Sequence, residues 1–351
     1  MVTNDMKLAE ILNLSHDMVI DVRSPAEFAL DHVPGAVNLP VLNNEERARV
    51  GTIYVQDSPF KARKLGAALV FRNAARHIEE QLSHLDGGWR PLVYCWRGGQ
   101  RSGSFTWMLQ QIGWRAEVLP GGYQSYRRQV CTALYEDKLP FRIFALDGYT
   151  GTAKTAILNA FADLGGQVLD LEALARHRGS LLGGCAEPQP SQKAFESAII
   201  AQLMQFDPEK PVLVEAEASK IGARSLPPAL WTALCAAPRI DVVVPVAARV
   251  KYLCATYDDI LSDHPRLEDK LGVLRAHRSN AVVDNWLGLS LAGDKCALTQ
   301  ALVQEHYDPT YQKARDRHAH TPLAQISLGA LEAADIEAAA QQLMAIVMAQ
   351  G

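Results

Sequence analysis

An apolar run, Pro91-Leu92-Val93-Tyr94, delivers one cysteine into the loop Cys95-Trp96-Arg97-Gly98-Gly99-Gln100-Arg101-Ser102, and apolar residues resume at helical spacing in Phe105-Thr106-Trp107-Met108-Leu109. Strand, tight loop and helix start, in that order, constrain the fold more than any other stretch. The loop N–H groups and the helix N-terminus converge on one point and form an anion cradle. A cysteine at its base has its thiolate stabilised and is reactive. The Cys-x5-Arg spacing adds a guanidinium that can hold an oxyanion bidentately. A lone cysteine is more often a buried structural residue, but Gly98, Gly99, Arg97 and Arg101 on one short loop outweigh that reading. The stretch points to thiolate chemistry on an anionic or chalcogen-bearing group.

The same alternation of strand and helix surrounds it. Val19-Ile20-Asp21-Val22 leads into Ser24, a cap for the helix that Pro25 opens, with Glu27 three residues on. Helical stretches follow at 44–56 and 59–82, then a strand at 116–119 and the turn Pro120-Gly121-Gly122. This predicts an α/β domain with a mainly parallel sheet over residues 1–135. A second α/β domain, 139–246, opens with the strand Arg142–Asp147. That strand runs into Gly148-Tyr149-Thr150-Gly151-Thr152-Ala153-Lys154-Thr155 and a helix, which is the P-loop pattern except that Ala153 stands where glycine is usual. Backbone N–H groups about Gly148 and Gly151 would cradle phosphates, Lys154 would neutralise a diphosphate, and Thr155 could hold Mg²⁺. The Cβ of Ala153 removes the dihedral freedom of glycine, so phosphate or diphosphate binding is expected rather than vigorous ATP hydrolysis. Further strands are expected at 168–171, 211–215 and 241–246. Glu215 and Glu217 read equally as metal-side carboxylates or as solvated strand-end acids. From 247 to 351 the pattern is helical, at 249–262, 266–284, 296–307 and 334–348, and this region is expected to pack on the P-loop domain.

Arg176, His177 and Arg178 end an apolar-faced helix. They serve the helix dipole or clamp a phosphate-bearing substrate beside the P-loop. Local basic clusters occur at Arg127-Arg128, Arg275–Arg278 and Lys313–His320, each more often a solvated face than an RNA contact. The net charge of −4 carries no global signal for nucleic acid. The six cysteines are scattered without a C-x-x-C pair, which argues against a zinc site or a disulfide framework. The first residues lack the apolar core of a signal peptide, and no apolar run is long enough to span a bilayer. A reducing cytoplasm, with no membrane partner, is expected.

The segments Asp21–Phe28, His32–Pro40 and Leu119–Tyr123 resemble a rhodanese domain. Five residues separate Cys95 from Arg101 where the sulfur-carrying loops have four. That spacing is similar to the cell-cycle phosphatases sharing the rhodanese fold, whose loop fits a tetrahedral phosphate. Fusion to a P-loop module, with Asp170–Ser180, Gln189–Glu196 and His306–Tyr311, makes the whole chain resemble the tRNA 2-selenouridine synthase family. The resemblance implies geranylation of wobble 2-thiouridine by geranyl diphosphate. Replacement of the geranylated sulfur by selenium from selenophosphate would follow. It implies thiolated tRNA and a selenophosphate supplier as partners, no tightly bound cofactor or resident metal, and room for Mg²⁺ beside the diphosphate. Cys95 would carry selenium as a perselenide or act as a nucleophile that cleaves the Se–P bond. The rival readings are a Cys-dependent phosphatase or sulfurtransferase fused to a P-loop kinase, and a nucleotide-gated RNA- or partner-binding protein with a degenerate P-loop.

Overall fold

A computed structural model describes residues 8, 15–180, 182–185, 187–317 and 321–350. The chain forms two compact units, the first of residues 1–138 with Pro190–Gln205, the second of Leu139–Gln189 with 206–351.

The first unit is built on four strands: β1 (Met18–Asp21), β2 (Val37–Asn38), β3 (Pro91–Tyr94) and β4 (Glu117–Val118). They lie in the order β2-β1-β3-β4, all parallel. Residues of β3 are buried throughout, as a parallel strand covered on both faces requires. Ser24 and Glu27 form the expected capping box of the helix Pro25–Leu30. The helix Asn44–Gln56 matches its expected bounds and is capped by Asn43 and Glu46. The next helix, Pro59–His77, gives way to a π-helical turn at Ile78–Leu82. Buried Ile20, Val22, Val93, Phe105 and Leu109 fill the space between sheet and helices.

The second unit holds β5 (Ile143–Asp147), β6 (Gln167–Leu169), β7 (Val212–Glu215), the short antiparallel pair β8 (Lys220–Ile221) and β9 (Arg224–Ser225), then β10 (Arg239–Val243) and β11 (Ala324–Ser327). Its main sheet runs β11-β10-β5-β7-β6, all parallel. Three expectations shift. The strand expected at 168–171 stops at Leu169, because the Asp170 side chain accepts from Ala173 N at 2.9 Å and caps the helix Leu171–Ala175. The strand expected at 241–246 starts and ends earlier, since Pro245 caps the helix Val246–Thr256. The helix expected at 266–284 is two helices, His264–Gly272 and Asn280–Leu291, the second capped by Ser279. The region after 247 is helical except for β11. That strand was not foreseen, because only Ile326 of its four residues is buried and so short a run shows no alternation. Trp286, read as a packing residue, is fully buried in the helical core with its indole N–H on Glu305 at 2.9 Å.

In both units the loops at the carboxyl ends of the central strands β3 and β5 carry the glycines and charged residues singled out above. Open parallel sheets place their ligands there.

Candidate active sites

In the first unit Cys95 leaves β3 and sits 4% exposed. Its Sγ accepts from Gly99 N at 3.3 Å and from Ser102 Oγ at 3.2 Å. Burial pushes the thiol up, but the Ser102 hydrogen bonds, the Arg101 charge and the Arg97 N–H together bring it below the ordinary thiol value. The helix Gln100–Ile112 starts at this loop, so its positive end faces the sulfur. The Arg97 side chain is exposed. Arg101 is turned onto Glu27, with Nη1 to Oε2 at 3.0 Å, and Arg47 approaches the same oxygen at 3.5 Å. Burial raises Glu27, yet Arg101, the Ser24 N–H and Arg47 hold its carboxyl below the usual range.

The segment resembling the end of a rhodanese domain pins this loop through backbone alone. Tyr123 N donates to Cys95 O and Gln124 N to Trp96 O, both at 2.9 Å. Gly98 and Gly122 have φ of +67° and +58°. A Cβ on Gly122 would come within 2.4 Å of Cys95 O and 2.6 Å of Gly98 N. The start of the domain supplies a buried brace. Arg23 pairs with Asp21 at 2.6 Å, donates to Asp31 O at 2.7 Å and lies 3.9 Å over the Tyr123 ring. Tyr123 OH in turn donates to Asp31 at 2.7 Å.

In the second unit Gly148 and Gly151 have φ of +158° and +84°, and Ala153 takes the left-handed conformation at φ +57°. The helix Lys154–Asp163 begins at the next residue. Lys154 Nζ donates to Gly148 O at 2.8 Å and lies 3.4 Å from Glu215, which also accepts from Thr155 Oγ1 at 3.4 Å. Glu215 is buried at 6% exposure rather than solvated. Its carboxylate, those of Glu217 and Glu172 lie with ligand atoms within 4.8 Å of one another. Burial first, and mutual repulsion second, push Glu172 and Glu217 well above the usual carboxylate value. Glu172 was not singled out in the sequence. Its role depends on β6 lying beside β7, which no linear pattern displays.

A pocket of about 420 Å³ adjoins these groups, lined by Thr155, Asp170, Glu172, Ala173, Arg176, His177, Arg178, Cys185 and Glu187. The three basic residues therefore do reach the P-loop side of the fold. Arg176 pairs with Glu187 at 3.1 Å, and Arg178 lies 5.1 Å over the Tyr257 ring with Asp259 at 3.5 Å. Burial lowers His177, and Lys270 lowers it further.

A second group missed in the sequence is the strap over the P-loop. The helix Asp308–Arg317 presents Tyr311, whose OH donates to Asp147 beside the Gly148 N–H, and Gln312, which accepts from Tyr149 OH. Arg249 joins Asp308 bidentately at 2.6 and 3.0 Å and donates to Thr150 O at 2.9 Å. The signal was the segment His306–Tyr311, noted without a role. The basic clusters are largely satisfied internally: Arg127 by Glu196, Arg275 by Asp284, Arg278 by Thr310 and Arg315 by Asp241. His318 and His320 lie outside the described residues.

A cysteine loop at the end of β3 and a P-loop-like loop at the end of β5 define a chain of the rhodanese-plus-P-loop class. The rhodanese-like domain model matches residues 6–129, and the tRNA 2-selenouridine synthase AAA domain model matches residues 141–279. The tRNA 2-selenouridine synthase of Bdellovibrio bacteriovorus is 32% identical over 347 residues, covering 87% of this chain and 90% of that one. That of Alcanivorax borkumensis is 31% identical over 355 residues, covering 90% and 94%. That of Nitrosomonas europaea is 36% identical over 243 residues, covering 68% of this chain and 63% of that one. The chain belongs to the tRNA 2-selenouridine synthase family. No helix among the described residues is long and apolar enough to cross a membrane.

Proposed function

We propose that this enzyme makes 2-selenouridine in tRNA by geranylating 2-thiouridine and then exchanging the geranylated sulfur for selenium. One observation supports the reading above others: each unit has its own candidate anion cradle, one with Cys95 Sγ accepting from Gly99 N and Ser102 Oγ, the other with Lys154 and Thr155 gathered at Gly148 O and Glu215. A two-donor reaction needs two such cradles.

In the first step the thiouridine sulfur attacks C1 of geranyl diphosphate, the S–C bond forms and the C–O bond breaks to release diphosphate. Charge grows on the leaving group, where Lys154 and the loop N–H groups stabilise it. Arg176 and Arg178 reach the same pocket and hold the outer phosphate. Thr155, Glu172, Glu215 and Glu217 offer an oxygen set that suits Mg²⁺, and such an ion would relieve the repulsion among the three carboxylates. ATP need not be consumed.

In the second step Cys95 attacks the phosphorus of selenophosphate. The S–P bond forms, the Se–P bond breaks, and hydrogen selenide leaves. It adds at C2 of the base and expels geranylthiol, while water hydrolyses the phosphocysteine to phosphate. Attack at selenium instead would give a Cys95 perselenide and expel phosphite, selenium being oxidised as phosphorus is reduced, and phosphate would not be the product. Arg101 retains further N–H donors for the phosphoryl oxygens beside its Glu27 contact. A separate enzyme must supply selenophosphate.

Mass spectrometry of wobble nucleosides tests this, with thiolated tRNA, geranyl diphosphate and selenophosphate each omitted in turn. Cys95→Ala should block selenation and spare geranylation, while Lys154→Ala should suppress geranylation. Loss of geranyl-thiouridine in a folded Cys95→Ala protein would sink the division of labour.

A further inference from the structure

We infer that the face formed by the helix Pro59–His77 and the adjoining side of the helix Gln100–Ile112 is an RNA-docking surface of the first unit. The inference rests on the reading that this chain acts on tRNA, and it names where that RNA is held.

The charge pattern comes first. The helix Pro59–His77 carries Lys61, Arg63, Lys64, Arg72 and Arg76 and no Asp or Glu, in a chain whose net charge is −4. Lys61, Arg63, Lys64, Arg72 and Arg76 are all exposed. Lys61 pairs with Asp57 at 3.0 Å, Arg63 donates to Pro59 O at 3.2 Å, and Arg72 pairs with Glu46 at 3.0 Å. These are exposed contacts of little strength and can be exchanged for phosphate. Lys64 and Arg76 extend the charge along the axis. Among the clusters read from sequence, Arg127 and Arg315 differ in kind, since each is paired with a buried acid of the fold, Glu196 and Asp241.

The aromatic pattern is independent of it. Phe60, Lys64, Ala67, Ala68, Phe71 and Ala75 share one stripe at i, i+4, i+7, i+8, i+11 and i+15. Phe60 is 68% exposed and Phe71 40%. Trp107, on the neighbouring helix, is 54% exposed and meets Phe71 edge-on with ring centroids 6.3 Å apart. A cluster of large exposed rings on a soluble fold marks a surface that something covers. Basic residues alone suit any polyanion. Rings between them suit a polyanion that also offers flat faces to stack on, which is RNA with unstacked bases. The small side chains of Ala67 and Ala68 leave room for a backbone to approach.

The surface also lies on the element that begins at the thiol. Trp107 is six residues beyond Arg101 on one helix, about 9 Å along its axis.

Binding of a tRNA transcript to the full-length protein, measured by fluorescence anisotropy across a salt series, tests the surface. A Lys64→Glu, Arg76→Glu variant should bind about tenfold or more weakly, with the salt slope reduced by about 1.5 to 2 for two lost phosphate contacts. A Phe71→Ala, Trp107→Ala variant should weaken binding with the slope unchanged. Lys64→Gln, Arg76→Gln, a milder pair, should fall between, and thermal unfolding confirms that each variant is folded. If the wild type binds tRNA and the variants bind it equally well, the surface is wrong and an acidic protein is its better occupant. If the wild type shows no salt-dependent binding to tRNA at all, the reading beneath the inference fails with it.

Discussion

The Cys95 loop and the Gly148–Thr155 loop solve the same problem differently. Both join a buried parallel strand to the N-terminus of a helix. The Cys95 loop is held by another stretch of backbone, Gly121–Gln124, which needs glycine wherever φ is positive. The second loop is held by side chains from a distant helix, Tyr311 and Gln312, with Arg249 and Asp308 beside them. It places Ala153 where backbone freedom favours glycine. A backbone clamp tolerates almost no substitution, whereas a side-chain clamp degrades by steps.

The sharpest way to break that contrast is Gly122→Ala. Its Cβ would collide with Cys95 O and Gly98 N in a conformation that also penalises a side chain, so stability should fall by about 2–4 kcal/mol. Urea unfolding checks this, and unchanged stability would show the backbone clamp to be slack. Tyr311→Phe, by contrast, removes one of several donors to a buried carboxylate. A loss of about 1–2 kcal/mol is expected, with weaker diphosphate binding by calorimetry and unaltered Cys95 alkylation. Ser102→Ala removes the nearest hydroxyl donor to the thiolate. The pH midpoint for iodoacetamide reaction at Cys95 should rise, while the P-loop unit is untouched.

The carboxylate cluster sharpens the comparison through pH. Glu172 and Glu217 have pKa values raised above the ordinary 4.5, so the folded state holds their protons more tightly than the unfolded state. The stability they contribute is complete below that value and is lost as pH rises through their folded values. The melting temperature should therefore fall on going from mildly acid to mildly alkaline buffer, and Mg²⁺ should restore part of it at the alkaline end. Glu172→Gln should flatten the fall. The smallest effect is expected from Ala153→Gly, which relieves the left-handed strain but loosens the unfolded chain. A net gain of about 0.5 kcal/mol or less should appear in the melting temperature.

Much of this was readable in one dimension because it depends on local order. Cys95 lies between a strand and a helix, and Lys154 and Thr155 open the helix that follows β5, so both loops follow from neighbours in sequence. Glu172 was not readable, since it meets Glu215 and Glu217 only through strand order. Tyr311 lies 164 positions from Asp147, and no periodicity connects them. The arginines at 127 and 315 read as solvated or RNA-facing because their acidic partners, Glu196 and Asp241, are 69 and 74 positions away. The helix at 59–77 was seen as a helix, but its unbroken positive charge gains meaning only when Trp107 is found beside Phe71.

The contact between Arg101 and Glu27 has a consequence for selectivity. The resting loop already carries its own counter-ion, so an arriving phosphoryl group exchanges with a carboxylate instead of filling an empty place. A guest of single charge gains little from the exchange, whereas one of double charge gains on every N–H it reaches. On the proposed reading, the Arg101–Glu27 pair would therefore discount weak anions and favour a dianion that also offers Cys95 something to attack.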